Sequence, residues 1–284
     1  MIKLYYSLTK PGIIYGNSLS VIAGFFLASQ GSFNPLLFLA TLFGLSFVIA
    51  SGCVFNNYLD RNIDAKMDRT KKRAMVTHQI PVSNALIFGT ALGLTGFALL
   101  YLFTNLLTTL IAFTGFFFYV IVYTFSKRVS VHGTLLGSIA GAVPPVVGYT
   151  AVANTLDLAA LLLFLLLVIW QMPHFYAIAI FRLQDYKNAG IPVLPIKKGI
   201  PFTKITILGY VILFALTVPF LTLLGYTGYI YVISMTLLAF FWILKGLKGF
   251  STIDNTIWAK KMFFFSLIIL LALSITISLN SFLP

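Results

Sequence analysis

Charge is what this chain lacks most. Of 284 residues only 9% are Asp, Glu, Lys or Arg, while 60% are hydrophobic, and the mean hydropathy is +0.99. A soluble domain carries about 25% charged residues, so a soluble reading is excluded and the question becomes how often the chain crosses a bilayer. Cysteine is nearly absent: Cys53 alone rules out an internal disulfide and leaves no thiolate set for a metal. No polar linker or low-complexity tract divides the sequence, although its length would accommodate two soluble domains. Residues 1–284 are therefore read as a single transmembrane domain. The opening "MIKLYYSLTKPG" lacks the continuous apolar core and small-residue cleavage site of a signal peptide, so the N-terminus is expected to be retained.

Long apolar runs fill the space that charge leaves. A helix needs about 20 apolar residues to cross the hydrocarbon core, and nine candidates qualify: 13–30, 36–58, 84–103, 106–125, 133–153, 158–181, 204–224, 229–244 and 262–281. "TN", "ANTLD" and "GYTG" join three pairs as tight hairpins. The fold class is an all-α integral membrane bundle of nine helices. A formal net charge of +13 would suit a nucleic-acid partner, but the placement of the bases excludes one. Lys3 and Lys10 precede the first span; Arg61, Lys66, Arg69, Lys71, Lys72 and Arg73 follow the second. Lys127 and Arg128 follow the fourth, Arg182 to Lys204 the sixth, and Lys245 to Lys261 the eighth. All 19 bases thus fall on one side, which the positive-inside rule makes cytoplasmic. The N-terminus is expected inside, the C-terminus outside, and the chemistry on the cytoplasmic face, because the outer loops carry one charge, Asp157. Topology alone accounts for any single base, so function must be sought in specific clusters.

The sharpest cluster is "SGCVFNNYLDRNIDAKMDRTKKR", residues 51–73. Residues four apart share a helix face, so Asn56, Asp60, Asp64 and Asp68 form one stripe that drifts about 40° per step. Acids at this spacing repel unless cations join them. Hard oxygen ligands suit Mg²⁺, which binds through one or two carboxylates plus a substrate phosphate. The neighbouring Arg61, Arg69, Lys71, Lys72 and Arg73 suit the phosphate itself. Carboxylates, a divalent metal and clustered bases together describe a diphosphate site. The competing reading, a solvated loop whose acids balance its bases, is weakened because Asn56 and Asn57 lie inside the apolar span, where polar groups are costly and usually functional.

A second constellation is "WQMPHFYAIAIFRLQDYKNAGIPVLP" at the end of the sixth span. His174 is expected about two turns deep. Asp185, eleven residues on, shares its face if the helix continues, and Pro173 is expected to kink the span and open a cavity. Arg182, Asp185, Tyr186 and Lys187 would face the first cluster, where a second carboxylate would let a second Mg²⁺ share the diphosphate. In the fifth span Gly133, Gly137 and Gly141 form a small-residue face for close helix contact, and Pro144–Pro145 are expected to break the helix near its middle. Lys127 and Arg128, with Tyr123 a turn earlier, can reach an anionic substrate at the mouth. "KGLKGFSTIDNTIWAKK" is read as a helix lying in the interface.

"NNYLDRNIDAKMDRTKKR", "SVHGTLLGSIAGAVPPVVGY" and "WQMPHFYAIAIFRLQDYKNAGIPVLP", with "TKPGIIYGN" before them, together resemble the protohaem IX farnesyltransferases, a branch of the UbiA-type intramembrane prenyltransferase superfamily. The resemblance runs from Thr9 to about Trp258. It places the first metal motif on Asn56, Asp60 and Asp64, with Met67, Arg69, Thr70 and Arg73 as its tail; Asp68 falls outside the motif. The second motif falls on Pro173, His174, Asp185, Tyr186 and Gly190. Other superfamily members carry two or more spaced aspartates there. This chain has Asp185 alone, a thinner motif that the haem branch shares.

The resemblance implies a UbiA-type fold, Mg²⁺ as cofactor, and farnesyl diphosphate and haem B as substrates. The product would be the hydroxyethylfarnesyl side chain of haem O, with release of diphosphate. Asp60, Asp64, Asp185 and His174 would be catalytic, and Asn56, Asp60, Asp64 and Asp185 would bind metal. Asn57, Arg61, Arg69, Lys72, Arg73, Lys127, Arg128, His174, Arg182 and Tyr186 would contact substrate, with Phe47 and Phe55 walling the isoprenoid cavity. His174 would ligate the haem iron, orient the haem or manage a proton; the sequence leaves all three open. A multi-pass place in the bacterial inner membrane follows, among membrane lipids, with downstream haem or oxidase assembly proteins as recipients and no nucleic acid. Two alternatives stand beside this reading. One is prenyl transfer to an aromatic quinone precursor such as 4-hydroxybenzoate. The other, from a different class, is a divalent-cation transporter, which the nearly uncharged outer half disfavours.

Overall fold

The computed structural model describes residues 1–280; position 281, the end of the expected last span, lies outside them. A short α1 (Ile2–Leu8) leads into α2 (Pro11–Ser29), α3 (Pro35–Asp64) and α4 (Val82–Phe103). The fourth crossing is composite: α5 (Leu106–Phe117), a π-helical turn (Phe118–Tyr123) and α6 (Thr124–Val129). Then come α7 (Gly133–Ala153), α8 (Leu158–Phe181), and the short α9 (Leu183–Asn188) and α10 (Leu194–Lys197). The rest is α11 (Gly199–Thr217), α12 (Phe220–Leu223), α13 (Tyr229–Leu247) and α14 (Asn255–Ser278). Among the described residues nine helices are long and apolar enough to cross a membrane, and they match the nine expected spans.

Caps set the turns. Asn34 accepts from the Leu37 N–H just before Pro35 and starts α3, and Asn105 starts α5 by accepting from Thr108. The isolated Asp157 is a cap as well. It accepts from the Ala160 N–H at 3.1 Å and from the Tyr149 hydroxyl at 2.6 Å. Asp254 caps α14 by accepting from Thr256 and Ile257, so the last span begins at Asn255. The expected interfacial helix over 245–261 therefore does not exist as a separate element. Its first half ends α13, its second half begins α14, and Trp258 is buried, donating to the Lys245 carbonyl at 2.9 Å.

Successive spans run to opposite ends of the bundle. Lys10, Asn56, Asp60, Lys127 and Asp185, all beside the ends of spans, meet at one end. The far end is tied by Asn105 donating to the Thr150 carbonyl and by the Gly228 N–H donating to Asn280. This is the alternation that the one-sided bases require.

Glycines set the tightest crossings. A Cβ at Gly24 would collide with the Pro145 carbonyl, and one at Gly148 with the Val21 carbonyl, so α2 and α7 touch backbone to backbone. Gly44 and Gly96 do the same for α3 and α4. Pro144 and Pro145 do not break α7, which runs unbroken from Gly133 to Ala153. Proline's fixed φ is itself helical, and both rings are buried in this close crossing. Nor do Gly133, Gly137 and Gly141 serve one helix contact: they make room for the Lys127 backbone, the Tyr123 ring and the Gln171 amide respectively. α8 also passes through Pro173 as a continuous helix, and stops at Arg182 instead of carrying on to Asp185.

Overpacking a backbone contact costs about 1–3 kcal/mol. Gly24→Val should therefore lower the thermal midpoint of the purified protein by several degrees. Gly16→Val on the same helix, where a Cβ meets nothing within 4 Å, should not. Equal melting of the two variants would contradict the α2–α7 packing.

Candidate active site

The last two turns of α3 carry Asn56, Asp60 and Asp64, only 3%, 4% and 5% exposed. Burial disposes of the solvated-loop reading. A buried carboxylate is tolerable only with cationic partners, and each acid has them. Asp60 takes the Lys127 ammonium on Oδ2 and the Arg128 guanidinium at 3.3 Å on Oδ1, while Arg128 also donates to the Leu59 carbonyl at 2.8 Å. Asp64 pairs with Arg73 at 2.6 Å, and its own carbonyl accepts from the Thr70 hydroxyl. Asn56 accepts from the Lys10 ammonium at 2.5 Å and donates to the Thr124 hydroxyl at 2.9 Å.

The helix ends at Asp64, so Asp68 is not a fourth rung. It lies in the following turn, exposed, paired with Lys71 at 2.5 Å, an arrangement worth little in water. Its backbone N–H instead donates to Asp185 Oδ1 at 3.0 Å, which docks α9 against the turn after α3. Burial pushes the Tyr186 phenol up to about 12, with Tyr123 and Asp185 adding to the rise and Arg69 and Lys127 opposing it. Tyr186, Arg69, Lys127 and Asp185 therefore share one electrostatic neighbourhood. On the facing wall the π-helical turn stacks Tyr119 on Tyr123, 6.0 Å apart and 12° from parallel, and the Lys127 ammonium sits 4.9 Å from the Tyr123 ring.

Other expected site residues lie elsewhere. Asn57 donates to the Leu8 carbonyl at 2.7 Å and ties α1 to α3; its Oδ1 is buried without a partner. Arg61 folds back onto Tyr58, donating to its carbonyl at 2.9 Å with its guanidinium 4.4 Å from the ring. Lys72 is exposed, and so is Arg182, which lies over Phe181 at 5.5 Å. Phe55 packs edge-on against Phe116 between α3 and α5, and an apolar groove of about 760 Å³ opens between α5, α7 and α8, where Asp157 lies. His174 sits at the α8–α14 contact, 2.8 Å from the Ser266 hydroxyl.

Sequence reasoning missed Lys10 and Thr124 as members of the site. Lys10 carries a signal in its backbone: at φ 51° it is a non-glycine residue in the left-handed region, a strain that clusters at functional positions.

Among the described residues no three His, Cys, Asp or Glu side chains are grouped to hold an ion, so Asp60, Asp64 and Asp185 do not form a closed cage. The donor chemistry nonetheless fits a hard divalent cation shared with a phosphate, which asks the protein for only one or two carboxylates. Asp60 and Asp64, buried on successive turns, are the carboxylates that would supply them.

Buried carboxylates and convergent bases thus gather at one end of an apolar bundle that has, among the described residues, nine helices long enough to cross a membrane. The sequence profile of the UbiA prenyltransferase family matches residues 17–268, and the chain belongs to that family. Over 277 residues it is 53% identical to the protoheme IX farnesyltransferase of Protochlamydia amoebophila (strain UWE25), covering 98% of both chains. Its fold matches a solved digeranylgeranylglyceryl phosphate synthase with a TM-score of 0.81 at 22% identity, over 99% of this chain and 98% of that one. It also matches a UbiA homolog from Archaeoglobus fulgidus bound to GPP and Mg²⁺, with a TM-score of 0.67 at 15% identity, over 96% and 99%.

Burial also lowers Lys10 to about 8, with Arg73 and Lys127 adding to the fall while Cys53 and Asp60 oppose it. A depressed lysine loses its proton, and its hold on an anion, as pH rises through that value. Affinity for a prenyl diphosphate should therefore fall above about pH 8. Lys10→Arg, which stays charged, should flatten the decline; identical pH profiles would contradict a role for Lys10 in anion binding.

Proposed function

We propose that this chain transfers a farnesyl group from farnesyl diphosphate to a vinyl group of haem B, giving the hydroxyethylfarnesyl side chain of haem O and releasing diphosphate. The observation that carries the reading is the buried Asp60–Asp64 pair ringed by Lys127, Arg128, Arg73 and Lys10. Full-length similarity to a protoheme IX farnesyltransferase supports haem as acceptor. The whole chain acts as one unit in the bacterial inner membrane, with this end of the bundle in the cytoplasm. The one-sided bases support that orientation.

Asp60 and Asp64, flanked by Asn56 and Asp185, would hold Mg²⁺, which when bound neutralises charge developing on the leaving oxygens. The Mg²⁺ in a same-fold relative supports a divalent ion here. Lys127, Arg128, Arg73 and Lys10 carry out the same task from the protein side: they are already oriented, at partly buried positions where their charge is poorly screened. The exposed Arg69 and Lys72 would draw the anion in, while Arg61 stays folded on Tyr58. Apolar side chains shield the isoprenoid tail and keep water from the allylic carbon as its C–O bond breaks. The terminal vinyl carbon of haem then attacks that carbon, and water captures the cation left beside the porphyrin, giving up one proton to the released diphosphate or to bulk water.

Purified protein incubated with farnesyl diphosphate, Mg²⁺ and both haem B and 4-hydroxybenzoate should yield a hydroxyethylfarnesyl haem by mass analysis. Chelation should stop the reaction, and Mg²⁺ should restore it. Asp60→Asn and Asp64→Asn should each lower turnover roughly 100-fold or more while membrane insertion is retained. Prenylated 4-hydroxybenzoate with untouched haem would reassign the acceptor, and robust haem O formation by either variant would overturn the site.

A further inference from the structure

His174 lies apart from the carboxylates, and its surroundings are built to hold one ring in one orientation. The imidazole is packed against the Trp170 ring, centroids 5.1 Å apart and 27° from parallel, and against Phe263 at 4.7 Å and 37°. Its Nδ1 is 2.8 Å from the Ser266 hydroxyl. That hydroxyl donates its only proton to the Phe263 carbonyl at 2.6 Å, so towards His174 it can only accept. The proton in this contact therefore belongs to Nδ1, and Nε2 carries the lone pair. Trp170 closes the frame by donating its indole N–H to the Ser266 carbonyl at 2.9 Å.

A histidine kept for packing alone satisfies both ring nitrogens or buries them. Here Nε2 accepts no hydrogen bond from the described residues, and it is not among the buried unpartnered atoms. A nitrogen with a free lone pair, on a partly buried ring clamped by two aromatics and tied through its other nitrogen, is the arrangement of a metal-ligating imidazole with its orienting partner. His174 lies seven residues before the end of α8, about 10 Å deep along its axis. Arg182, just past that end, pairs with no carboxylate among the described residues. Arg182 therefore lies beyond His174 towards the end of the span, on the side where the propionates of a porphyrin held at the imidazole would emerge.

We propose that His174 Nε2 is the ligand for the iron of the haem substrate, and that Ser266 is a positioning residue that fixes the tautomer exposing it. This rests on the haem-farnesylating reading above. The test titrates haem B, without farnesyl diphosphate, into full-length protein in lipid nanodiscs and follows absorption and electron paramagnetic resonance. The native chain should give a saturable imidazole-ligated spectrum. His174→Ala should lose that signature and regain it with added free imidazole. Ser266→Ala should bind haem roughly 10-fold more weakly, and Ser266→Thr, which keeps the hydroxyl, should restore binding. An unchanged ligand spectrum in His174→Ala, or native-like affinity in Ser266→Ala, would overturn the assignment. If the native chain still farnesylates haem in that case, only the ligand proposal fails; if it does not, the functional reading fails as well.

Discussion

The constraint on which this structure turns is the cost of placing carboxylates inside an apolar bundle. Asp60 and Asp64 are buried beside the end of a long membrane span, where an uncompensated charge is worth several kcal/mol of destabilisation. Each is neutralised by a base from a different part of the chain. Lys127 and Arg128 arrive from the end of the fourth crossing and Arg73 from the turn after α3. Lys10, at the start of the first crossing, reaches the same face through Asn56. The acids thus do two jobs. They tie several helix ends together, and they gather at one point the cations that a diphosphate would engage.

Much of this was legible in the sequence because the bilayer restricts what a chain can do. A span must be long and apolar, and bases must sort to one side, so nine helices and their alternation followed from counting. The i, i+4 spacing put Asn56, Asp60 and Asp64 on one face because α3 continues to Asp64. The same rule failed for Asp68, because helical spacing says nothing about where a helix stops. Features that depend on distant partners were hidden. Nothing local marks Lys10 as reaching Asn56, or Ser266 as the group holding His174, since those contacts close over 46 and 92 residues. Pro144–Pro145 misled for a related reason: proline disfavours a helix on its own, but the close α2–α7 crossing packs around both rings. Asp254 shows the opposite case, in which one capping side chain turned an expected surface helix into the start of a span.

The glycines illustrate how packing serves the site. Gly137 looked like part of a helix-packing stripe, yet its missing side chain makes room for the Tyr123 ring, where a Cβ would lie 2.7 Å from the nearest ring atom. Tyr123 in turn lies under the Lys127 ammonium that pairs with Asp60. A glycine on α7 is therefore connected, through one aromatic ring and one ion pair, to the carboxylate on α3. The carboxylate site is organised by charge in this way, whereas the surroundings of His174 are organised by aromatic stacking and a single directed hydrogen bond.

The central claim is that Asp60 and Asp64 take up a divalent ion together with the diphosphate. It is tested most directly by a structure of the protein with Mn²⁺ and an unreactive thio analogue of farnesyl diphosphate, with the ion located by its anomalous signal. The account predicts an ion within coordinating distance of Asp60 or Asp64, roughly 2.0–2.3 Å for such a cation, with the diphosphate between it and Lys127, Arg73 and Lys10. An ion bound elsewhere, or a diphosphate seated away from these carboxylates, would contradict it.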